Sequence, residues 1–276
     1  MAHALPLSHL MEVEVVAVLP PKVAVPDLFM EMKITPQRPA LSLMTWNVQG
    51  AGSAALMSML RELIRINKPR VLALVETHIS GETAQRVCDR ITFGGRTRVK
   101  ADGKFNAIWY YLVIYASPDL AKKEELWRDL EDFAATHNRL WMAMGDFNDT
   151  RFLQERNGTG DTMRRRCVMF SSWSENNDWI DLNYTGLDFT WARGHTAATR
   201  KWARLDRAIW NSNWRVTFSE GALRNLVQNQ SDHCPILVNT NGFAPIPQII
   251  KPFSFQAAWM CHEKFSEFVK SNWRND

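Results

Sequence analysis

Polar and ionisable residues recur at the ends of short apolar runs: Asn47, Glu76, Tyr115, Asp146 with Asn148, Asp206, and Ser231-Asp232-His233. Taken singly, each has an ordinary reading. Asp, Asn and Ser favour turns, and a tyrosine closing a β run is commonly core with a wet hydroxyl. Taken together, they supply what hydrolysis of a phosphodiester requires. Carboxylate and amide oxygens suit a hard cation, a further group can orient and deprotonate water, and donors remain for the charge that develops. The four cysteines, Cys88, Cys167, Cys234 and Cys261, form no CxxC pair and no His/Cys cluster. That spacing argues against a structural zinc site or a disulfide framework and fits a reducing compartment.

Several elements must hold these residues. Leu41 to Val48 alternates like a strand and breaks at Gln49-Gly50-Ala51-Gly52, so a loop follows directly on Asn47. Ser53 can cap a helix in which Leu56, Met59, Leu60, Leu63 and Ile64 share a face, and Lys68-Pro69 stops it. Val71 to Val75 reads as a strand buried on both faces that delivers Glu76 to its end. A weaker helix is predicted over Glu82–Arg90, and then a β-like run from Phe105 to Tyr115. Ser117-Pro118 opens a helix reaching His137, Leu140 to Met144 is a strand ending at Gly145-Asp146-Phe147-Asn148, and a helix covers about Thr162 to Asn176. The remainder, Trp179–Tyr184, Asp188–Ala192, Lys201–Trp210 and Cys234–Asn239, reads as short strands. Alternating strands and helices followed by β-rich pieces imply an α/β sandwich, with sheets packed together and helices outside. Residues 1–40 show no sustained period and are expected to be a poorly ordered, loosely packed leader.

At 276 residues the chain fits one large domain with tails. No run reaches the roughly 18 apolar residues of a membrane helix, and the N-terminal stretch lacks the layout of a secretory signal. An intracellular, nuclear or cytoplasmic location is therefore expected, with no membrane partner and no defined protein partner. A net charge of +4 permits attraction to nucleic acid without requiring it. Arg164, Arg165, Arg166, Arg193, Arg200, Lys201 and Arg204 are the group that could meet DNA phosphates, against the plainer reading of a solvated face. The 12 tryptophans are expected mostly in the core.

The pieces Thr45-Trp46-Asn47-Val48, Val75-Glu76-Thr77, Ile114-Tyr115-Ala116-Ser117-Pro118, Gly145-Asp146-Phe147-Asn148, Arg204-Leu205-Asp206-Arg207 and Ser231-Asp232-His233-Cys234-Pro235 follow one another in a familiar order. In that order they resemble the endonuclease/exonuclease/phosphatase (DNase I-like) superfamily over residues 41–240. Trp179-Ile180-Asp181-Leu182, Phe189-Thr190-Trp191 and Arg204 to Ala208 narrow the resemblance to the endonuclease of plant long-interspersed-element (non-LTR) retrotransposons. Residues 241–276, with Pro252 to Trp259, look like the linker preceding a reverse transcriptase in such proteins. The resemblance implies a DNase I-like four-layer α/β sandwich of two packed mixed sheets. It also implies Mg²⁺ or Mn²⁺ held by Glu76 with Asn47 and Asp232, and Asp146 as the group that activates water. Asn148 would position the phosphate, His233 oriented by Asp206 would stabilise the transition state, and Tyr115 would bond a phosphate oxygen. DNA is the implied substrate, with RNA left open, and a nicked strand with a free 3′ hydroxyl is the implied product.

Between Glu76 and Tyr115 the chain is shorter than the family pattern, and Gly94-Gly95 to Lys104 is basic and irregular. One sheet is thus expected to lack strands. This departure carries the competing reading of a catalytically inactive retroelement remnant or nucleic-acid-binding module. A phosphatase or lipid phosphodiesterase is a further alternative, because the same fold serves those chemistries.

Overall fold

The structure, a computed structural model, describes residues 15–18, 29–32, 41–79, 81–91, 109–137, 139–158, 160–194, 196, 198–244 and 264–272. In chain order its first elements are β1 (Val15–Val18), β2 (Phe29–Met32), β3 (Ser42–Asn47), α1 (Ala54–Asn67), β4 (Val71–Val75) and α2 (Gly81–Arg90). They continue with β5 (Trp109–Tyr115), α3 (Leu120–Thr136), β6 (Leu140–Asp146), α4 (Asp161–Asn176), β7 (Ile180–Asp181), β8 (Tyr184–Gly186) and β9 (Trp191–Arg193). Then come β10 (Lys201–Ala203), β11 (Asp206–Trp210), α5 (Ser212–Thr217), β12 (Ala222–Asn225) and β13 (Ile236–Asn239). Residues 1–242 form one compact unit; residues 243–276 form a second, in which α6 (Phe265–Asn272) is the described element. The linker-like motif Pro252 to Trp259 and the basic stretch Gly94 to Lys104 lie outside the described residues.

Local chemistry sets the element ends. Ser53 accepts the Leu56 amide at 3.0 Å to start α1, and Lys68 closes it in the left-handed conformation with φ 44° just before Pro69. Met57, rather than Met59 or Ile64, joins Leu56, Leu60 and Leu63 in the buried face. α3 begins two residues later than Ser117-Pro118 suggests. Asp119 is its N-cap, accepting the Lys122 amide, while Ser117 accepts the Asp119 amide instead. A carboxylate is a strong cap and also favours the positive helix N-terminus.

Two sheets pack face to face. One runs β1-β4-β3-β13-β12-β8 and the other β2-β5-β6-β11-β7, with β9 and β10 forming a separate hairpin. Leu43, Val71, Ala73, Val75, Ile236 and Val238 of the first meet Tyr111, Val113, Met142, Met144, Ala208 and Trp210 of the second in the inter-sheet core. On the outer face of the second sheet, Tyr110, Leu112, Ile114, Trp141 and Ala143 pack under Leu126, Trp127 and Phe133 of α3 and Phe170 and Trp173 of α4. The tryptophans do populate the interior: Trp127 and Trp173 stack at 5.1 Å between ring centres. A strand clothed on both faces must be apolar at every position, which is why β5 and β6 read as continuous apolar runs.

The leader reading needs correction at two places. Residues 15–18 pair parallel with β4 as β1, and residues 29–32 pair antiparallel with β5 as β2. Between Glu76 and Tyr115 the described elements are α2 and β5, so β4 and β5 present edges that the intervening chain leaves open among the described residues. Unpaired edge amides and carbonyls are costly and recruit other chains, and the two early strands satisfy them. Deleting residues 1–40 should therefore re-expose both edges. The expected outcome is a lower melting temperature and concentration-dependent association by light scattering; a monodisperse deletion variant with unchanged melting would show that the strands are dispensable.

Candidate active site

Pairing register brings distant residues to one end of the two sheets. β3 and β4 are parallel with Asn47 beside Val75, so Asn47 and Glu76 leave adjacent strand ends. β5 and β6 are parallel with Tyr115 beside Asp146, and the antiparallel β11 places its first residue, Asp206, on the other side of Asp146. β13 pairs Ile236 with Thr45, which draws the 231–235 segment to the same end. Trp46 donates its indole N–H to the His233 carbonyl, and Ser231 donates its hydroxyl to the Asn47 carbonyl at 2.8 Å. Gly145 carries φ +147°, and a Cβ there would sit 2.0 Å from the Ile114 carbonyl oxygen, so only glycine fits immediately before Asp146.

At the centre lie Asp146, Asp206 and His233, each at most 3% exposed and with ligating atoms all within 4.8 Å. His233 Nδ1 is 2.9 Å from Asp206 Oδ2, and His233 Nε2 is 3.8 Å from Asp146 Oδ2. Burial opposes a charged imidazole, but the two carboxylates, Asp206 first, overcome it and raise His233 to about 10. Burial pushes Asp146 up to about 7, against the pull of the His233 charge and the hydrogen bonds it accepts. Those bonds come from the Asn148 amide to Oδ1 at 2.8 Å, and from the side chains of Asn148 and Asn47 to Oδ2 at 3.1 Å each. Asp206 is seated by Thr190, whose hydroxyl accepts both the Leu205 and Asp206 amides.

Oxygen donors surround this centre. Glu76, at φ +54°, accepts the Tyr115 hydroxyl at 2.8 Å, and both burial and that carboxylate raise the Tyr115 phenol. Asn47 Oδ1 accepts the Gln49 amide at 3.2 Å. Asp232 Oδ2 accepts the Trp191 indole at 2.9 Å and pairs with Arg193 at 3.3 Å, whereas its Oδ1 is buried without a hydrogen-bond partner. A buried carboxylate oxygen left unpartnered is the kind of ligand a cation satisfies. Glu76, Asn47 and Asp232 thus fit a hard divalent ion by donor type. The Asp146, Asp206 and His233 group has a spacing that a metal could also use, although His233 Nδ1 is already engaged by Asp206.

Other assignments change. Asn148 donates its side-chain N–H groups to the Ala116 carbonyl at 2.8 Å and to Asp146, so its amide grips the carboxylate and is not free for a phosphate. Arg204 is a correction among the cations expected to meet DNA. It is 4% exposed, bonded to Glu155 and Asp181, and lies over the Tyr184 ring at 4.4 Å. Arg166 is likewise turned inward onto Asp149 and the Asn148 carbonyl. Arg164, Arg165, Arg193, Arg200 and Lys201 remain exposed. The contacts that Thr190, Trp191 and Lys123 make with Asp206, Asp232 and Asn148 are not visible in sequence, because each partner is brought near only by folding.

Two packed mixed sheets with outer helices, ending in an Asp-His-Asp centre ringed by oxygen donors, define a DNase I-like α/β sandwich. A profile of the Endonuclease/Exonuclease/phosphatase family matches residues 44–233, and the chain belongs to that family. Among solved structures, the 3′ phosphatase NExo from Neisseria, bound to product DNA hairpin, is similar with 15% identity and a TM-score of 0.53, covering 72% of this chain and 98% of its own. The AP endonuclease LMAP from Leishmania major is similar with 13% identity and a TM-score of 0.52, covering 76% and 92%. The endonuclease domain of TRAS1, a telomere-specific non-LTR retrotransposon, has 12% identity and a TM-score of 0.49, covering 72% and 97%. No curated protein matches the chain significantly.

The charge pairing at the centre has a testable sign. With its folded pKa above the ordinary 6.5, His233 contributes stability fully below that value and loses it as pH rises toward about 10. Asp146 titrates lower, near 7. Lys123, lowered to about 8, and Cys234, raised to about 12, also act in the alkaline range, so the comparison with Asp206→Asn is what reads the His233 share. In metal-free buffer, the urea midpoint of the wild type should fall from pH 8 to about 10, and Asp206→Asn should flatten that fall. Equal slopes in both proteins would sink the pairing.

Proposed function

We propose that this chain hydrolyses phosphodiester bonds in DNA with the help of a divalent cation, nicking one strand in the manner of a retroelement endonuclease. The observation that carries this reading is the buried Asp146–His233–Asp206 centre with Asn47 and Asn148 loading one carboxylate. A carboxylate raised to about 7 can take a proton from water near neutral pH, so Asp146 serves as the base that orients and activates the nucleophile. His233, kept charged by Asp206, faces the charge that develops on the phosphate; Tyr115, whose hydroxyl proton goes to Glu76, would serve a phosphate oxygen once Glu76 takes the cation. Glu76, Asn47 and Asp232 would hold Mg²⁺ or Mn²⁺, which supplies neutralisation of the phosphate oxygens.

Nucleic acid is favoured over a lipid headgroup by the rim. The β9–β10 hairpin carries exposed Arg193, Arg200 and Lys201, and Trp191 anchors it to Asp232 at 2.9 Å. Several cations beside the site suit a polyanion better than a single phosphate. The likeness to NExo, a phosphatase with product DNA, and the order of the sequence motifs support the same substrate class.

Nicking of supercoiled plasmid with Mg²⁺, Mn²⁺ or EDTA tests the proposal. Metal-dependent nicking is expected, with Asp146→Ala or His233→Ala lowering the rate by at least ~10²-fold while DNA affinity stays nearly unchanged. Nicking that persists in both variants would remove the role assignment. A folded wild type that binds DNA but never nicks would leave the inactive-module reading, and hydrolysis confined to headgroup phosphates would leave the phosphatase one.

A further inference from the structure

Directly after Asn148 the chain holds a charge cluster that the proposed reaction does not use. Lys123, on α3, has a fully buried side chain, and its ammonium lies 2.9 Å from the Asn148 carbonyl oxygen and 2.5 Å from Asp149 Oδ2. Arg166, on α4, reaches the same two groups from another side: Nε donates to Asp149 Oδ1 at 2.8 Å and a terminal nitrogen to the Asn148 carbonyl at 3.0 Å. Asp149 is 1% exposed. One carbonyl therefore receives two cationic donors, and one buried carboxylate pairs with both.

Stability alone accounts poorly for such a trio. Desolvating an ion pair costs about as much as its attraction returns, and apolar side chains of similar volume commonly do as well. What the trio does fix is a backbone orientation. Asn148 sits at φ +50°, a left-handed conformation that asparagine adopts more readily than most residues but that its neighbours must still select over the commoner right-handed one. In that conformation the Asn148 amide and side chain both donate to Asp146, one to each carboxylate oxygen, and the side chain also reaches the Ala116 carbonyl. Rotation about the Asn148 N–Cα bond swings its side chain and its carbonyl together, so holding the carbonyl keeps φ in the left-handed region and the side-chain donor on the carboxylate.

We propose that Lys123, backed by Arg166 and Asp149, is a positioning residue of the active site: it clamps the Asn148 carbonyl and thereby sets the aim and hydrogen bonding of Asp146. The proposal rests on the reading of Asp146 as the water-activating base. It joins the outer helices to the chemistry, since α3 and α4 each contribute one cation to a turn at the end of β6. A merely structural lysine would matter only to the folded fraction.

The test uses the full chain with Lys123→Met, Lys123→Arg, Arg166→Gln and the Lys123→Met/Arg166→Gln pair, in plasmid nicking and in residue-resolved amide exchange. Lys123→Met should lower kcat by about 10- to 100-fold with KM changed less than about 3-fold, as for outer partners that orient a reacting group. Lys123→Arg should recover most of that loss, because a guanidinium can still serve the carbonyl and the carboxylate. The double variant should lose less than the product of the single losses, since both donors act on one carbonyl. Exchange at the Asn148 amide should quicken at least about 10-fold in Lys123→Met while the β6 amides 142–144 stay protected. Unchanged kcat with unchanged Asn148 exchange overturns the proposal, as does a uniform loss of protection with kcat per folded molecule intact. Should the wild type fail to nick, the functional reading fails on its own, and the exchange experiment still decides whether Lys123 governs the turn. A Lys123→Met protein that does not fold shifts the decision to Arg166→Gln, whose side chain is 18% exposed and whose loss should quicken Asn148 exchange selectively.

Discussion

Asp146, Asp206 and His233 are held almost entirely out of water, within reach of one another, and none could remain ionised there alone. An isolated buried carboxylate would take up a proton, and an isolated buried imidazole would lose one. Together they settle into a histidine raised to about 10 between two acids, with Asp146 pushed up to about 7 by its burial. The surrounding structure serves that arrangement. Thr190 seats the backbone of Asp206, Asn47 and Asn148 load Asp146, and Trp46 ties the carbonyl of His233 to β3.

Such a centre needs strand ends that do not wander, and the sandwich provides them through register. Parallel pairing of β3 with β4 and of β5 with β6 places Asn47, Glu76, Tyr115 and Asp146 at one end without any of them being sequence neighbours. The inter-sheet core then locks the two sheets against each other, with Tyr111 hydrogen-bonding Thr45 across the interface. Where the strands stop, the backbone turns sharply. Gln49, Glu76, His78, Asn148 and Gln230 all adopt positive φ, and four of these five lie within two residues of Asn47, Glu76 or Asp146, with Gln230 two before Asp232. Strain gathered where the polar groups converge is the pattern expected when packing elsewhere holds a site in shape.

Arginines illustrate how burial reassigns charge. Arg204 and Arg207 bracket Asp206 in sequence, yet both turn onto Glu155 and Asp181, with Arg207 fully buried over the Phe170 ring at 5.3 Å. Their carboxylate partners join the loop after Asn148 to β7 and β11, so the strand that carries Asp206 is tied to the turn that carries Asn148. Glu155 is held below the usual carboxylate range because the two arginines outweigh its burial. Arg204, which in one dimension reads with a nucleic-acid surface, is here internal scaffolding.

The amino-acid sequence by itself determined the α/β class, the apolar strands, the capped helix α1 and the ordered motifs that end in Asn47, Glu76, Asp146 and His233. Those features are local: an apolar run, a capping serine or a glycine before an aspartate acts over a few residues and leaves its mark in composition and spacing. Only the tertiary structure decided which cations face solvent, that Asn148 spends its amide on Asp146, and that Lys123 reaches across 25 residues of chain to the Asn148 carbonyl. Residues 15–18 and 29–32 belong to the same class, because a short strand without a sustained period is defined by the edge it completes. A pairwise contact between remote residues depends on register and burial, and neither is written in the type of the residue that makes it.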